Sequence, residues 1–134
     1  MSELPETDDE RRAAGMATRR EVLGDAHVDR AVAATTPFTA DFQDFITRTA
    51  WGDLWQRPGL ERRDRSLLTL AITIALRHWD EFALHVRAAK NNGLTDEEIA
   101  EVLQHAAVYA GVPAANHAFK VAATVLEELR DPTA

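Results

Sequence analysis

Apolar side chains recur three and four residues apart along most of the chain, and no stretch alternates apolar with polar in the two-residue period of a strand. The pattern predicts helices throughout. Residues 1 to about 8 read as a frayed tail, and Asp8 to Leu23 as a first helix stopped by Gly24. A short helical turn is expected from His27 to Ala34. Thr39 is placed to cap a segment running to about Trp55, along which Phe42, Phe45, Ile46, Thr49 and Ala50 repeat at helical spacing before Pro58-Gly59 breaks it. Leu60 to Arg77 comes next, nearly continuously apolar from Leu67 to Leu76, which predicts a central helix. Asp80 is placed to cap the following helix, which ends at Asn92-Gly93. Thr95 and Glu98 make the capping box of the one after, Gly111 ends that helix, and Pro113 opens a last one reaching about Leu129. The expected fold is all-α, about six to seven helices in a single domain over residues 1–134, with short connections except around residues 24 to 40.

The segment from Asp80 to Asn92 carries the most informative departure from a simple amphipathic helix. At about 100° per residue, Asp80, Arg87, Lys90 and Asn91 gather on one solvated side. Opposite them lie Phe82, Val86, Ala88 and Ala89, and the same arc contains Glu81, His85 and Asn92. A carboxylate and an imidazole four residues apart on a packing face must either satisfy each other or face a polar cavity, because a buried unpaired carboxylate is costly. A neighbouring carboxylate raises a histidine pKa from its ordinary ~6.5 and desolvation lowers it, so the imidazole is a candidate acid or base near neutrality. The competing reading is a structural ion pair, or a face that merely looks inward on a helical wheel. On the preceding helix Arg62, Ser66, Thr69 and Thr73 fall on one stripe. Each Ser or Thr taken singly is expected to bond back to its own helix, but two polar seams on consecutive helices suggest a shared pocket.

Composition narrows the chemistry. At 134 residues with 46% hydrophobic side chains, the chain can bury a real core. Fifteen basic against 22 acidic residues give a formal charge of -7 without a basic block, which argues against nucleic acid and anionic membrane as partners. A small anion bound by local arginines remains compatible. The acidic start MSELPETDDE has no secretory pattern and no apolar run approaches a membrane span, so a soluble cytoplasmic protein is expected. With no cysteine, disulfides, thiolate metal sites and a cysteine nucleophile are excluded. No histidine pair has the spacing of a zinc site, so no metal is expected. His105 and His117 read as core or interface residues, His27 as a cap or turn residue, and Trp51, Trp55 and Tyr109 as core or subunit contacts.

Three segments together resemble the 4-carboxymuconolactone decarboxylase family: RREVLGDAHVDRA at 19–31, FQDFITRTAWGDLWQRPGLERRDRSLLTLA at 42–71, and EFALHVRAAKNNGLTDEEIAEVLQHAAVYAGVPAANHAF at 81–119. They cover most of the chain. The wider superfamily includes alkylhydroperoxidase D-like thiol proteins with C-x-x-C-x-x-x-H on this helix and a glutamate twelve residues before the first cysteine. Those positions here are His78, Glu81, His85 and Ser66, so the final histidine alone is retained and thiol redox chemistry is not expected. The resemblance implies the alkylhydroperoxidase D-like helical fold, a ring-like homohexamer, and catalysis without cofactor. It also implies a small anionic lactone as substrate, 4-carboxymuconolactone, converted to the enol lactone of 3-oxoadipate with loss of carbon dioxide. In that substrate a double bond joins the carbon bearing the leaving carboxylate to the lactone carbonyl, which is therefore the electron sink. The protein must hold a dianion, stabilise an oxyanion and protonate a ring carbon. Expected roles are protonation by His85 tuned by Glu81, carboxylate anchoring by Arg62 or Arg65, and donation to the substrate by Ser66. Two rival readings are a related decarboxylase or isomerase of another cyclic acid, and a non-catalytic helical oligomer with Glu81 and His85 as an interface pair.

Overall fold

The computed structural model describes residues 4–131. Seven α-helices make up most of them, with no strand among the described residues. They fall into two compact units, one ending at Glu61 and the other beginning at Arg62. Part of the expected tail, residues 1–3, lies outside the described residues. Among the described residues no helix is long and apolar enough to cross a membrane.

The first unit contains α1 (Asp8–Leu23), α2 (Asp25–Ala33) and α3 (Ala40–Ile46). Thr7 and Glu10 form a capping box that starts α1, and Gly24, at φ 91°, separates α1 from α2. The helix expected from Thr39 to Trp55 is not continuous. Thr39 stands at the N-cap position of α3, but its hydroxyl accepts from the Thr36 N–H at 3.0 Å instead of capping the helix. After Ile46 the chain widens into a π-helical turn, Thr47–Trp51, closed by the Gly52 N–H on the Thr47 carbonyl at 2.8 Å, and then makes a 3-10 turn, Leu54–Gln56. The deciding contact is long-range. A Cβ on Gly15 of α1 would stand 2.2 Å from the Thr47 carbonyl oxygen, and one on Gly52 would stand 2.3 Å from the Arg11 carbonyl oxygen. Two backbones touch here, glycine against backbone on both sides. Helical periodicity cannot reveal that.

Charge ties the same elements together at the surface. Asp44 of α3 receives Arg12 of α1 at 2.5 Å and Arg48 at 2.7 Å, and these two guanidinium groups hold its carboxyl down at about 2. Trp51 and Trp55 are buried and stack with ring centroids 5.2 Å apart, and the Gln56 amide bonds Thr18 Oγ1 at 2.6 Å.

The second unit contains α4 (Arg62–Ala75), α5 (Trp79–Asn91), α6 (Asp96–Tyr109) and α7 (Val112–Arg130). Its core draws on all four helices, with Leu70 and Ile74, Phe82 and Val86, Ile99 and Leu103, and Ala118 and Ala122 among its members. The expectation that α4 is covered on all sides fails: Leu68, Ile72 and Leu76, four residues apart, are 51%, 55% and 59% exposed. The mostly apolar second half of α4, with Leu76 just beyond its end, has one core face and one open apolar stripe. The α4–α5 turn is closed by Arg77, a non-glycine residue at φ 58°, with the His78 N–H returning to the Thr73 carbonyl at 2.9 Å. The N-cap of α5 is His78, not Asp80; Asp80 and Glu81 sit in the first turn, where carboxylates favour the helix dipole. The remaining boundaries follow expectation, including both bonds of the Thr95–Glu98 capping box, Gly93 at φ 93°, and Pro113 in the first turn of α7 after Gly111.

The glycine contact gives a sharp expectation. Gly15→Ala forces two backbones apart and should lower stability by roughly 3 kcal/mol in denaturant unfolding followed by circular dichroism. A variant as stable as the parent would show that the α1 contact is not close-packed.

Candidate active site along the α4–α5 hairpin

Three residues, Leu76 to His78, connect α4 to α5, so α5 runs back along α4. At the open end of this hairpin Asn92 Nδ2 donates to Ser66 Oγ at 2.9 Å. Ser66 has no exposed surface. Of the hydroxyls on the polar stripe of α4, Ser66 thus reaches across to Asn92, whereas Thr69 and Thr73 donate to the Arg65 and Thr69 carbonyls at 2.9 and 2.7 Å. The two polar seams meet at this bond.

That point fixes where the other residues lie. At ~1.5 Å rise per residue, His85 is about 10 Å and Glu81 about 16 Å from Asn92 along the α5 axis. Arg62 and Arg65, both partly buried, stand in the first turn of α4, at the Ser66–Asn92 end. Arg63 between them is turned to α6, where it pairs with Glu98 and, with the Thr95 N–H, holds that carboxyl below its ordinary value. The set expected from sequence is therefore spread along the hairpin, with the arginines and Ser66 at one end, His85 midway and Glu81 at the turn.

His85 is 7% exposed, as its place on the packing face requires, and is flanked on α5 by the fully buried Phe82 and Val86. Glu81 departs from expectation. It is exposed, and makes no hydrogen bond or ion pair among the described residues. A helical wheel assigns faces by angle alone, and Glu81 lies at the turn end, after α4 has finished at Ala75. It lines instead a concavity of about 500 Å³ with Arg77, His78, Trp79 and Asp80. The edge of this region is aromatic, since His117 of α7 packs on Trp79 with centroids 4.5 Å apart. His78 and Arg77 escaped sequence reasoning as members of this group. The available signal was a cationic residue at the position after a helix where glycine is usual.

The other histidines are not core residues. His105 is exposed and stacks on exposed Tyr109 at 5.2 Å, His117 is exposed against Trp79, and His27 is partly buried in the first turn of α2. Among the described residues no three His, Asp or Glu side chains come together as metal ligands.

Residues 40–124 match the model of the carboxymuconolactone decarboxylase family. The chain is 46% identical over 122 residues to a 4-carboxymuconolactone decarboxylase from Acinetobacter baylyi, covering 91% of each chain. It is 46% identical over 117 residues to nitrosuccinic acid decarboxylase npaB from Metarhizium robertsii, covering 87% of this chain and 82% of that one. A 4-carboxymuconolactone decarboxylase from Pseudomonas putida matches over 40 residues at 58% identity, which is 30% of this chain and 83% of that one.

Ser66→Ala removes the acceptor from Asn92 in a fully buried setting. It should cost about 1–2 kcal/mol in equilibrium unfolding, and Asn92→Ala in the same background should add little. Additive losses would mean that the two side chains act independently.

Proposed function

Because the chain belongs to the carboxymuconolactone decarboxylase family, we propose that it is a cytoplasmic, cofactor-independent carboxy-lyase acting on 4-carboxymuconolactone. Its products are 3-oxoadipate enol lactone and carbon dioxide, in the protocatechuate branch of the β-ketoadipate pathway. The observation that carries this reading is the 46% identity, over 91% of both chains, to the Acinetobacter baylyi decarboxylase.

The hairpin supports a division of labour. His85, buried on the packing face of α5, protonates the ring carbon next to the lactone carbonyl after carbon dioxide has left. Arg62 and Arg65 stand one end of the site away and anchor the carboxylate that is retained, where a guanidinium can bind bidentately. Little charge then faces the carboxylate that leaves, and an apolar surround favours its conversion to neutral carbon dioxide. Glu81, one helical turn from His85, tunes it when the filled site draws the two together, since catalytic contacts are often loose before substrate binds. Ser66 acts through Asn92, holding α5 in register, because its complete burial leaves no surface for the substrate.

A second substrate has a specific observation behind it, the equal identity to the nitrosuccinic acid decarboxylase. A nitro group beside a carboxylate accepts the electrons of C–C cleavage as the lactone carbonyl does, so both reactions need an anchored dianion and a proton donor. Nitrosuccinate is therefore the comparison substrate.

We read the open stripe Leu68, Ile72 and Leu76 as buried in a homohexamer. Sedimentation should give a mass six times 14.9 kDa, with Ile72→Glu shifting it to smaller species; a monomeric parent would contradict this. In a carbon dioxide release assay, His85→Gln should reduce kcat by roughly 100-fold or more and Glu81→Gln by about tenfold. Arg62→Ala or Arg65→Ala should act mainly on KM. A His85→Gln enzyme working at the parent rate removes His85 from the chemistry, and faster turnover of nitrosuccinate than of the lactone reassigns the substrate.

A further inference from the structure

In the first unit, one arginine is treated differently from its neighbours. On α1, Arg11 pairs with Asp8, Arg12 with Asp9 and Asp44, and Arg20 with Asp25 and Asp29. Arg19 is the buried member of this series, 6% exposed, and among the described residues no carboxylate lies against it. Its acceptors are neutral and distant: Nη1 donates to Thr47 Oγ1 at 3.4 Å and Nη2 to Gln43 Oε1 at 3.2 Å. The buried Nε donates to nothing. Gln43 accepts through its oxygen, and its amide NH2 has no acceptor among the described residues. Thr47 has already spent its proton on the Gln43 carbonyl at 2.7 Å, so it contributes an acceptor and no donor.

A buried guanidinium surrounded by neutral groups lacks the anion that would offset its desolvation. Burial accordingly lowers its proton affinity, and the nearby Arg20 charge adds to that effect. The approach is from the side of Gln43, since the Arg19–Gln43 bond is partly buried whereas the Arg19–Thr47 bond is fully buried. The backbone here is also the π-helical turn, a feature that recurs at functional sites.

We propose that Arg19 and Gln43 form a receptor for a carboxylate group, with the guanidinium and the Gln43 NH2 as its donors. The planar fork matches the two oxygens of a carboxylate, and the absence of acidic side chains leaves the site selective for anions. The carboxylate is that of a small free acid or of an acidic side chain on a second copy of this chain. The inference goes beyond the assigned reaction and is read without turnover, so an inactive enzyme would leave it standing.

The test is a titration of the full chain with succinate, against sodium chloride at matched ionic strength. Fluorescence of the Trp51–Trp55 stack is the readout, because Trp51 ends the turn that Thr47 begins. Melting temperature and sedimented mass are followed in parallel. A saturable fluorescence change with a rise in melting temperature, weakened about tenfold or more in Arg19→Lys and lost in Arg19→Gln, identifies a small acid as the ligand. No response to succinate, combined with a smaller sedimented mass for Arg19→Gln and Gln43→Ala, places the carboxylate on a second copy. Should Arg19→Gln fail to fold, Gln43→Ala, at a partly buried position, reads both arms alone. Identical responses and masses in parent and variants overturn the proposal.

Discussion

The bond from Asn92 to Ser66 is the constraint on which the proposed arrangement of the α4–α5 hairpin depends. It is worth about 1 kcal/mol net, so its importance is geometric. Apolar contacts of Leu70, Ile74, Phe82 and Val86 hold α4 against α5, but such contacts tolerate sliding and rotation. A slip of one residue would turn α5 by about 100° and carry His85 off the packing face. The hydrogen bond at the open end and the left-handed turn at Arg77 at the other end both favour the observed register. His85 then sits between an arginine-bearing end and a turn bearing Glu81.

That separation suits a decarboxylation that uses the substrate as its own electron sink. A cation against each carboxylate of a dianion would stabilise the ground state as much as the transition state, and uniform binding does not accelerate chemistry. In the proposed reaction, holding one carboxylate at Arg62 or Arg65 while the other lies toward an apolar stretch would make the binding energy differential. Few residues are then required to react directly. Other charged groups tie elements together, as with Arg63, whose pairing with Glu98 joins α4 to α6, and the Asp44 cluster in the first unit.

Most of the fold was legible because its signals are local. The Thr95–Glu98 capping box, the glycines at 24, 93 and 111, and Pro113 each act within a few residues of the boundary they set. What could not be read depends on distant contacts. The π-helical turn follows from the approach of Gly15 and Gly52 to backbone far away in sequence, and the open stripe on α4 has the same composition as a covered one. In the site, the burial of His85 was legible from periodicity, and so was the meeting of polar seams. Glu81 was misplaced because angular position says nothing of where along the hairpin cover ends. Arg19 gave no signal, since an Arg-Arg pair in a charged helix looks like a solvated face until the distribution of carboxylates around it is known.

The most direct test of the central claim, that a buried imidazole delivers the proton to the ring carbon, is turnover of 4-carboxymuconolactone in deuterium oxide with the enol lactone examined by NMR. Protonation by His85 predicts a single deuterium at the carbon beside the lactone carbonyl, in one configuration, and loss of that stereochemical purity in the residual product formed with His85→Gln. Deuterium distributed equally between both faces by the parent enzyme would mean that solvent protonates a released intermediate, and would contradict the account.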